Sequence, residues 1–172
     1  MPKAHQLSVS MVDEIWAPSE FVTRCYAVAD VPVVNVGTSV QLPKIDGFLG
    51  RTYFGFEDEF VFMFSMDGYS VIHRKNPAAV VRAFLRAFPN KAERVRLVIK
   101  SQNLLKAMWG LVNGRNRELF ELCAKDRRVE IVDRTMTAGE YYSLKEACDC
   151  YVSLHRSEGF GYGPAEIGRA HV

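Results

Sequence analysis

The chain has almost no net charge, few cysteines, no long apolar run and no internal repeat or low-complexity segment. Of its 172 residues, 22 are Lys or Arg and 20 are Asp or Glu, which leaves +2 at neutral pH. So even a balance gives no general electrostatic argument for nucleic acid or an anionic membrane as partner. No run reaches transmembrane length, and Met1-Pro-Lys-Ala-His5 lacks the apolar stretch of a signal peptide. The 4 cysteines are Cys25, Cys123, Cys148 and Cys150. Cys148 and Cys150 share a face, but no second Cys or His pair stands at zinc spacing, so buried free thiols in a reducing cytosol are expected. His155 and Glu158 have a spacing that could suit a metal, yet no third ligand lies within reach by sequence, and no Asp-x-Asp pair is present. No metal and no cofactor are expected.

What is present is one domain's worth of chain with 48% hydrophobic residues, enough for a sizeable core. The stretch that organises it is Ser153-Leu-His-Arg-Ser-Glu158-Gly-Phe-Gly-Tyr-Gly-Pro-Ala-Glu166. Cys150–Leu154 is a β-favouring apolar run, and Gly159, Gly161 and Gly163 then let the backbone turn into a helix. Unpaired N–H groups and the positive end of the helix dipole converge at such a turn, which suits a phosphate or diphosphate. Glu158 and Glu166 frame it, and carboxylates beside a phosphate site suit sugar or ribose hydroxyls. On the glycines alone, a plain strand-to-helix connection is an equal reading.

The rest of the chain alternates strand and helix. Residues 12–17 and 31–36 are extended runs around a helix capped by Ser19, with Phe21, Val22, Cys25 and Tyr26 on its apolar face. Residues 41–59, rich in Gly and aromatics, read as linker and loop. Phe60–Ser65 is apolar throughout, as in a strand covered on both faces. Met66–His73 is the loop after it. Asn76 is placed as N-cap and Pro77 at the first position of the next helix, with Val80, Val81, Phe84, Leu85 and Phe88 inward. Val95–Lys100 and Val129–Val132 are further strands, and the helical period from Leu104 to Cys123 breaks near Gly110, Asn113 and Gly114. Thr137 and Glu140 form a capping box for the helix before Cys150. This order predicts an α/β fold with a doubly wound parallel sheet, Rossmann-like, whose ligand site lies at the carboxyl ends of its strands.

Ser157-Glu-Gly-Phe-Gly161, with a second Glu eight positions after the first, resembles the donor-sugar motif of the group 1 (family 4) retaining glycosyltransferases, which have the two-domain GT-B fold. The resemblance implies that the chain carries the C-terminal, donor-binding domain and transfers a sugar from a nucleotide-diphosphate sugar without a metal. Glu158 would contact donor-sugar hydroxyls, Gly159, Phe160 and Gly161 would offer backbone N–H groups, and Glu166 would hold the ribose. Phe160 packing under the turn is an equal alternative, and His155 and Arg156 either line the pocket or lie on the surface. Arg74-Lys75-Asn-Pro matches the place of the diphosphate-binding cation, Lys75 first and Arg74 second. Lys75 would stabilise the leaving diphosphate beside Glu158 as the catalytic pair. The family's Gly-Arg after the strand is replaced by Ser65-Met66-Asp67. Arg134 lies on the loop where the nucleotide base rests.

The resemblance also divides the chain: 1–45 as the end of an N-terminal acceptor domain or an edge unit of the same domain, 46–59 as linker, 60–166 as the donor domain. Ile167–Val172 matches translated sequencing-adapter DNA, so the expectation is a truncated fragment with a non-native tail and no transfer activity alone. The acceptor, whether glycan, lipid or small molecule, is not readable, and the full-length protein is expected in the cytoplasm or at a membrane periphery. A non-catalytic nucleotide-binding Rossmann module and a sugar-nucleotide epimerase of the same architecture are the alternatives.

Overall fold

The computed structural model describes residues 5–109, 117–158 and 160–170. Its contacts divide the chain into two units, Met1–Gln41 and Leu42–Val172.

The first unit is a short helix α1 (Gln6–Val9), strand β1 (Ile15–Ala17), helix α2 (Glu20–Tyr26) and strand β2 (Val33–Asn35). The strands pair in parallel, with Ile15 opposite Val33. Ser19 caps α2 as expected, its Oγ accepting from the Val22 N–H at 3.4 Å. The expected apolar face is not buried: α2 has no buried residue, and Phe21 is 75% exposed.

The second unit holds the sheet. Its strands are β3 (Phe60–Asp67), β4 (Val95–Gln102), β5 (Val129–Asp133) and β6 (Cys150–Tyr151). They lie in the order β5-β4-β3-β6, every neighbouring pair parallel. This is the Rossmann order, in which the chain winds outward from β3 through β4 to β5 and then returns to the other side of β3. Side-chain alternation along β3 and β4 feeds a separate core on each face. Phe64, Met66, Leu97 and Ile99 pack with Val80, Val81 and Phe84 of helix α4 (Pro77–Ala87) and with Leu119 and Leu122 of α6 (Arg117–Cys123). Val61, Met63 and Val98 face the other way, onto Leu144 and Ala147 of α7 (Ala138–Ala147) and onto Phe56. The Thr137–Glu140 capping box of α7 is formed in both directions.

Several local expectations change. The loop after β3 contains a further turn of helix, α3 (Ile72–Lys75), and β3 runs on to Asp67. Asn76 does not cap α4 with its side chain: it sits at φ +55°, and its Nδ2 donates to the Leu154 carbonyl at 3.1 Å. It therefore ties the first loop to the end of the sheet, while Pro77 takes the first helical position as expected. Strand β6 ends at Tyr151, with Val152 N–H still donating to the Met63 carbonyl at 2.7 Å. The stretch expected as a linker carries a 3-10 turn, Arg51–Phe54, and is fastened to the sheet unit. Arg51 donates to the Ala147 carbonyl at 2.8 Å, and Leu49 N–H donates to Ser143 Oγ at 2.9 Å. Between α5 (Leu104–Trp109) and α6, the expected break at Gly110, Asn113 and Gly114 falls outside the described residues.

Candidate functional site

The winding reverses between β3 and β6, so their carboxyl ends diverge into separate loops and leave a crevice. A cavity of about 690 Å³ opens there, lined by the ends of β3 and β4, the start of α7, and the segment from His155 into helix α8 (Tyr162–Ala170).

Lys75 and Glu158 meet at its edge. They are distant in sequence, but the Asn76–Leu154 bond and the Arg156 N–H donating to the Arg74 carbonyl at 2.8 Å hold their two loops together. Lys75 Nζ lies 2.5 Å from Glu158 Oε1, and Arg74 Nη1 lies 3.1 Å from the same oxygen. Arg74 also donates to the Ser157 carbonyl at 2.9 Å. Burial pushes the Glu158 carboxyl pKa up, but Lys75 and Arg74 outweigh it and hold it below the ordinary carboxylate value, so Glu158 is ionised. Lys75 stands at the end of α3, where a cation suits the helix dipole, rather than at the start of α4 as the sequence suggests. Lys75 and Glu158 line the cavity; Arg74 stands behind them.

Glu166 also lines the cavity, from α8. Tyr142 OH donates to its Oε1 at 2.8 Å and Lys145 hydrogen-bonds its Oε2. The Lys145 ammonium is buried over the Tyr141 ring, 4.2 Å from the centroid. Burial lowers its pKa, and Glu166 counters that in part. Gly161 lines the cavity at φ +83°, a left-handed conformation that suits glycine, in the turn that the sequence placed here. A Cβ at Gly163 would come within 2.3 Å of the Tyr151 hydroxyl, so any other residue there would have to push the Tyr151 side chain aside. Phe160 is 42% exposed, lines the cavity and stands edge-to-face with Tyr162, so it does not pack under the turn. Gly159 lies outside the described residues.

Arg134 is not brought to the cavity: its guanidinium pairs with Glu140 at 2.8 Å, while its carbonyl accepts from Lys100 Nζ at 2.7 Å. Of the two residues left open by sequence, His155 lines the cavity and Arg156 does not. Arg156 instead donates to the His73 carbonyl at 3.1 Å.

Sequence reasoning missed the cavity floor. Ser65 Oγ lies 2.8 Å from Tyr151 OH and accepts from Tyr141 OH at 3.2 Å. Lys100, at the end of an apolar strand, is 6% exposed, and burial lowers its pKa. A lysine closing such a run was a readable signal, since a strand covered on both faces leaves a cation only its carboxyl end to emerge from. Glu57, Asp58 and Glu59 also cluster, their oxygens within 4.8 Å, but they do not line the cavity and are balanced by Arg94 and Arg96.

No protein-family model matches the sequence, and no curated protein matches it. Among solved structures, the chain is similar to OtsA in its apo form, with a TM-score of 0.69 at 8% identity, over 91% of this chain and 43% of that one. At this identity the likeness is one of fold, and the chain spans less than half of the neighbour's length. The order of its strands and this likeness together show a Rossmann-like α/β domain of the kind that makes up half of a GT-B fold.

Proposed function

We propose that the second unit is the donor-binding domain of a glycosyltransferase that takes its sugar from a nucleotide diphosphate, of the retaining type that its Ser157–Gly161 motif resembles. The observation that carries this reading is the Lys75–Glu158 pair in the lining of the switch-point cavity, which Glu166 lines as well. In a doubly wound sheet this is where a dinucleotide or nucleotide sugar binds. Lys75 exchanges Glu158 for a diphosphate oxygen and stabilises the charge that develops on the leaving group as the sugar becomes oxocarbenium-like. Glu158, released, accepts from hydroxyls of the sugar, while Glu166, fixed by Tyr142 and Lys145, faces the ribose. Electrostatic groups of this kind contribute roughly 10²- to 10³-fold to turnover. A Rossmann domain of this kind supplies the donor side of a GT-B enzyme, and the acceptor cleft belongs to the other domain of that fold.

Calorimetric titration of the chain with a panel of nucleotide sugars and their nucleoside diphosphates tests the reading. At least one nucleotide sugar should bind, and Lys75→Ala should weaken it by about tenfold or more, the value of one charge-assisted hydrogen bond. Binding of nicotinamide dinucleotides in place of every nucleotide sugar, or affinity indifferent to Lys75, would overturn it.

A further inference from the structure

His155 has its side chain only 6% exposed, yet both ring nitrogens are buried without a hydrogen-bond partner. A buried polar group left unpaired is rare in a native protein and costly, so it asks for a missing partner. The ring stands edge-on against Phe64, with centroids 5.2 Å apart, and lines the same cavity as Lys75 and Glu158. Its Nδ1 lies 2.6 Å from Glu158 Oε1 but out of line for a proper hydrogen bond. The negative charge of Glu158 that close favours the tautomer with its proton on Nδ1 over one with a bare nitrogen there.

The charge state follows from the neighbours. Burial lowers the pKa of His155, and the facing cations Lys75 and Arg74 lower it further against the opposing effect of Glu158, so the ring is neutral at pH 7. A neutral ring protonated at Nδ1 leaves Nε2 as an acceptor. Phosphate oxygens at this pH accept only, and a hydroxyl can donate.

We propose that His155 is a specificity residue of this site, its Nε2 accepting a hydrogen bond from a hydroxyl of the donor sugar next to the one that Glu158 holds. The inference rests on the donor-site reading above. It assigns His155 to the sugar half of the ligand and not to the diphosphate, and it gives the site two adjacent acceptors, which favour a sugar with neighbouring free hydroxyls.

Two measurements on the full chain test it. Long-range ¹H–¹⁵N correlation spectra at pH 7 should show His155 neutral and protonated at Nδ1; an Nε2-protonated or doubly protonated ring overturns the proposal whatever binds. Titration of wild type, His155→Phe and His155→Gln with UDP-glucose, GDP-mannose, UDP and GDP provides the second. His155→Phe should weaken the bound nucleotide sugar by about five- to tenfold, the value of one hydrogen bond, and leave the matching diphosphate within about twofold. His155→Gln should restore part of the loss, because its Oε1 offers an acceptor. Equal losses for sugar nucleotide and diphosphate mark a packing role and overturn the proposal alone. If wild type binds the diphosphate and gains nothing from the sugar, the hydroxyl contact is absent. If wild type binds none of the four probes, the donor-site reading for these sugars falls and takes the contact with it.

Discussion

At Glu158 a single carboxylate oxygen is approached by Lys75, Arg74 and His155. Because the folded pKa of Glu158 lies below the ordinary value, the stability it contributes is fully present above about pH 4.3, the usual Glu value, and is lost as pH falls through the lower, folded one. Carboxyl ¹³C shifts followed from pH 6 to 2 should show Glu158 titrating below the ordinary glutamate value. The Lys75–Glu158 encounter was legible because both residues stand in one recognisable pattern. The burial of His155 was not, since it depends on Phe64, a residue of a different strand. Arg128 was less legible still: it stands in a charged stretch, Lys125-Asp-Arg-Arg, in which nothing announces burial, yet Arg128 and Asp126 are 8% and 3% exposed. Arg128 bonds Asp126 at 2.9 Å and donates to the Phe88 and Asn90 carbonyls at 2.7 and 2.8 Å, closing the end of α4. Arg128→Met leaves Asp126 buried without its partner and should cost about 3 kcal/mol, read as a shift in the urea midpoint. A variant as stable as wild type would show that the pair contributes nothing.

Among the elements, α7 shows a local rule holding and α5 a remote one that no local rule reveals. Glu140 is held down to a pKa of about 2, first by the Thr137 N–H and then by Arg134. Its capping contribution is therefore complete above pH 4.5 and lost only toward pH 2. Thr137→Ala removes the reciprocal bond and should cost about 1 kcal/mol at pH 7, and an unchanged thermal midpoint would contradict this. The N–H groups of Leu104 and Leu105 at the start of α5 are capped by Asp133, at 3.0 and 2.8 Å. That carboxylate stands at the end of another strand, so nothing near α5 in sequence announces it. The loops after β3 and β4 touch at Gly68, where a Cβ would fall 2.4 Å from the Leu104 backbone nitrogen. Gly68→Ala should destabilise by about 1–3 kcal/mol because backbone, not a flexible side chain, has to move; calorimetry reads it directly. The apolar runs made β3, β4 and β5 readable, whereas the turn of α3 hides in Val71–Lys75, which has no helical period.

For the whole molecule, the alternation of strands and helices announces a parallel sheet, but not where its winding reverses. That depends on β6 returning beside β3, a pairing confined to Phe62–Cys150 and Met63–Tyr151. Protection should follow the same layout. Amides of β3 and β4, central and covered on both faces, should exchange slowest, and those of β1 and β2, with three residues each and Trp16 69% exposed, fastest. Hydrogen-exchange mass spectrometry checks this, and equal protection in the two strand sets would argue against it. The packing also governs thiol chemistry: burial raises Cys123 to about 11 and Cys148 to about 12, so both should resist thiol reagents until the chain unfolds. Among the described residues, no helix is long and apolar enough to cross a membrane.

The pairing of Lys75 with Glu158 gives the resting pocket an internal counterion. If the cavity takes a nucleotide diphosphate as proposed, the arriving polyanion would compete with a tethered rival for the same ammonium, and part of its intrinsic attraction would go into displacement. Discrimination would follow: a bare inorganic anion would displace the rival and offer it nothing, whereas a ligand that also brings hydroxyls would give the ousted carboxylate new hydrogen bonds to accept.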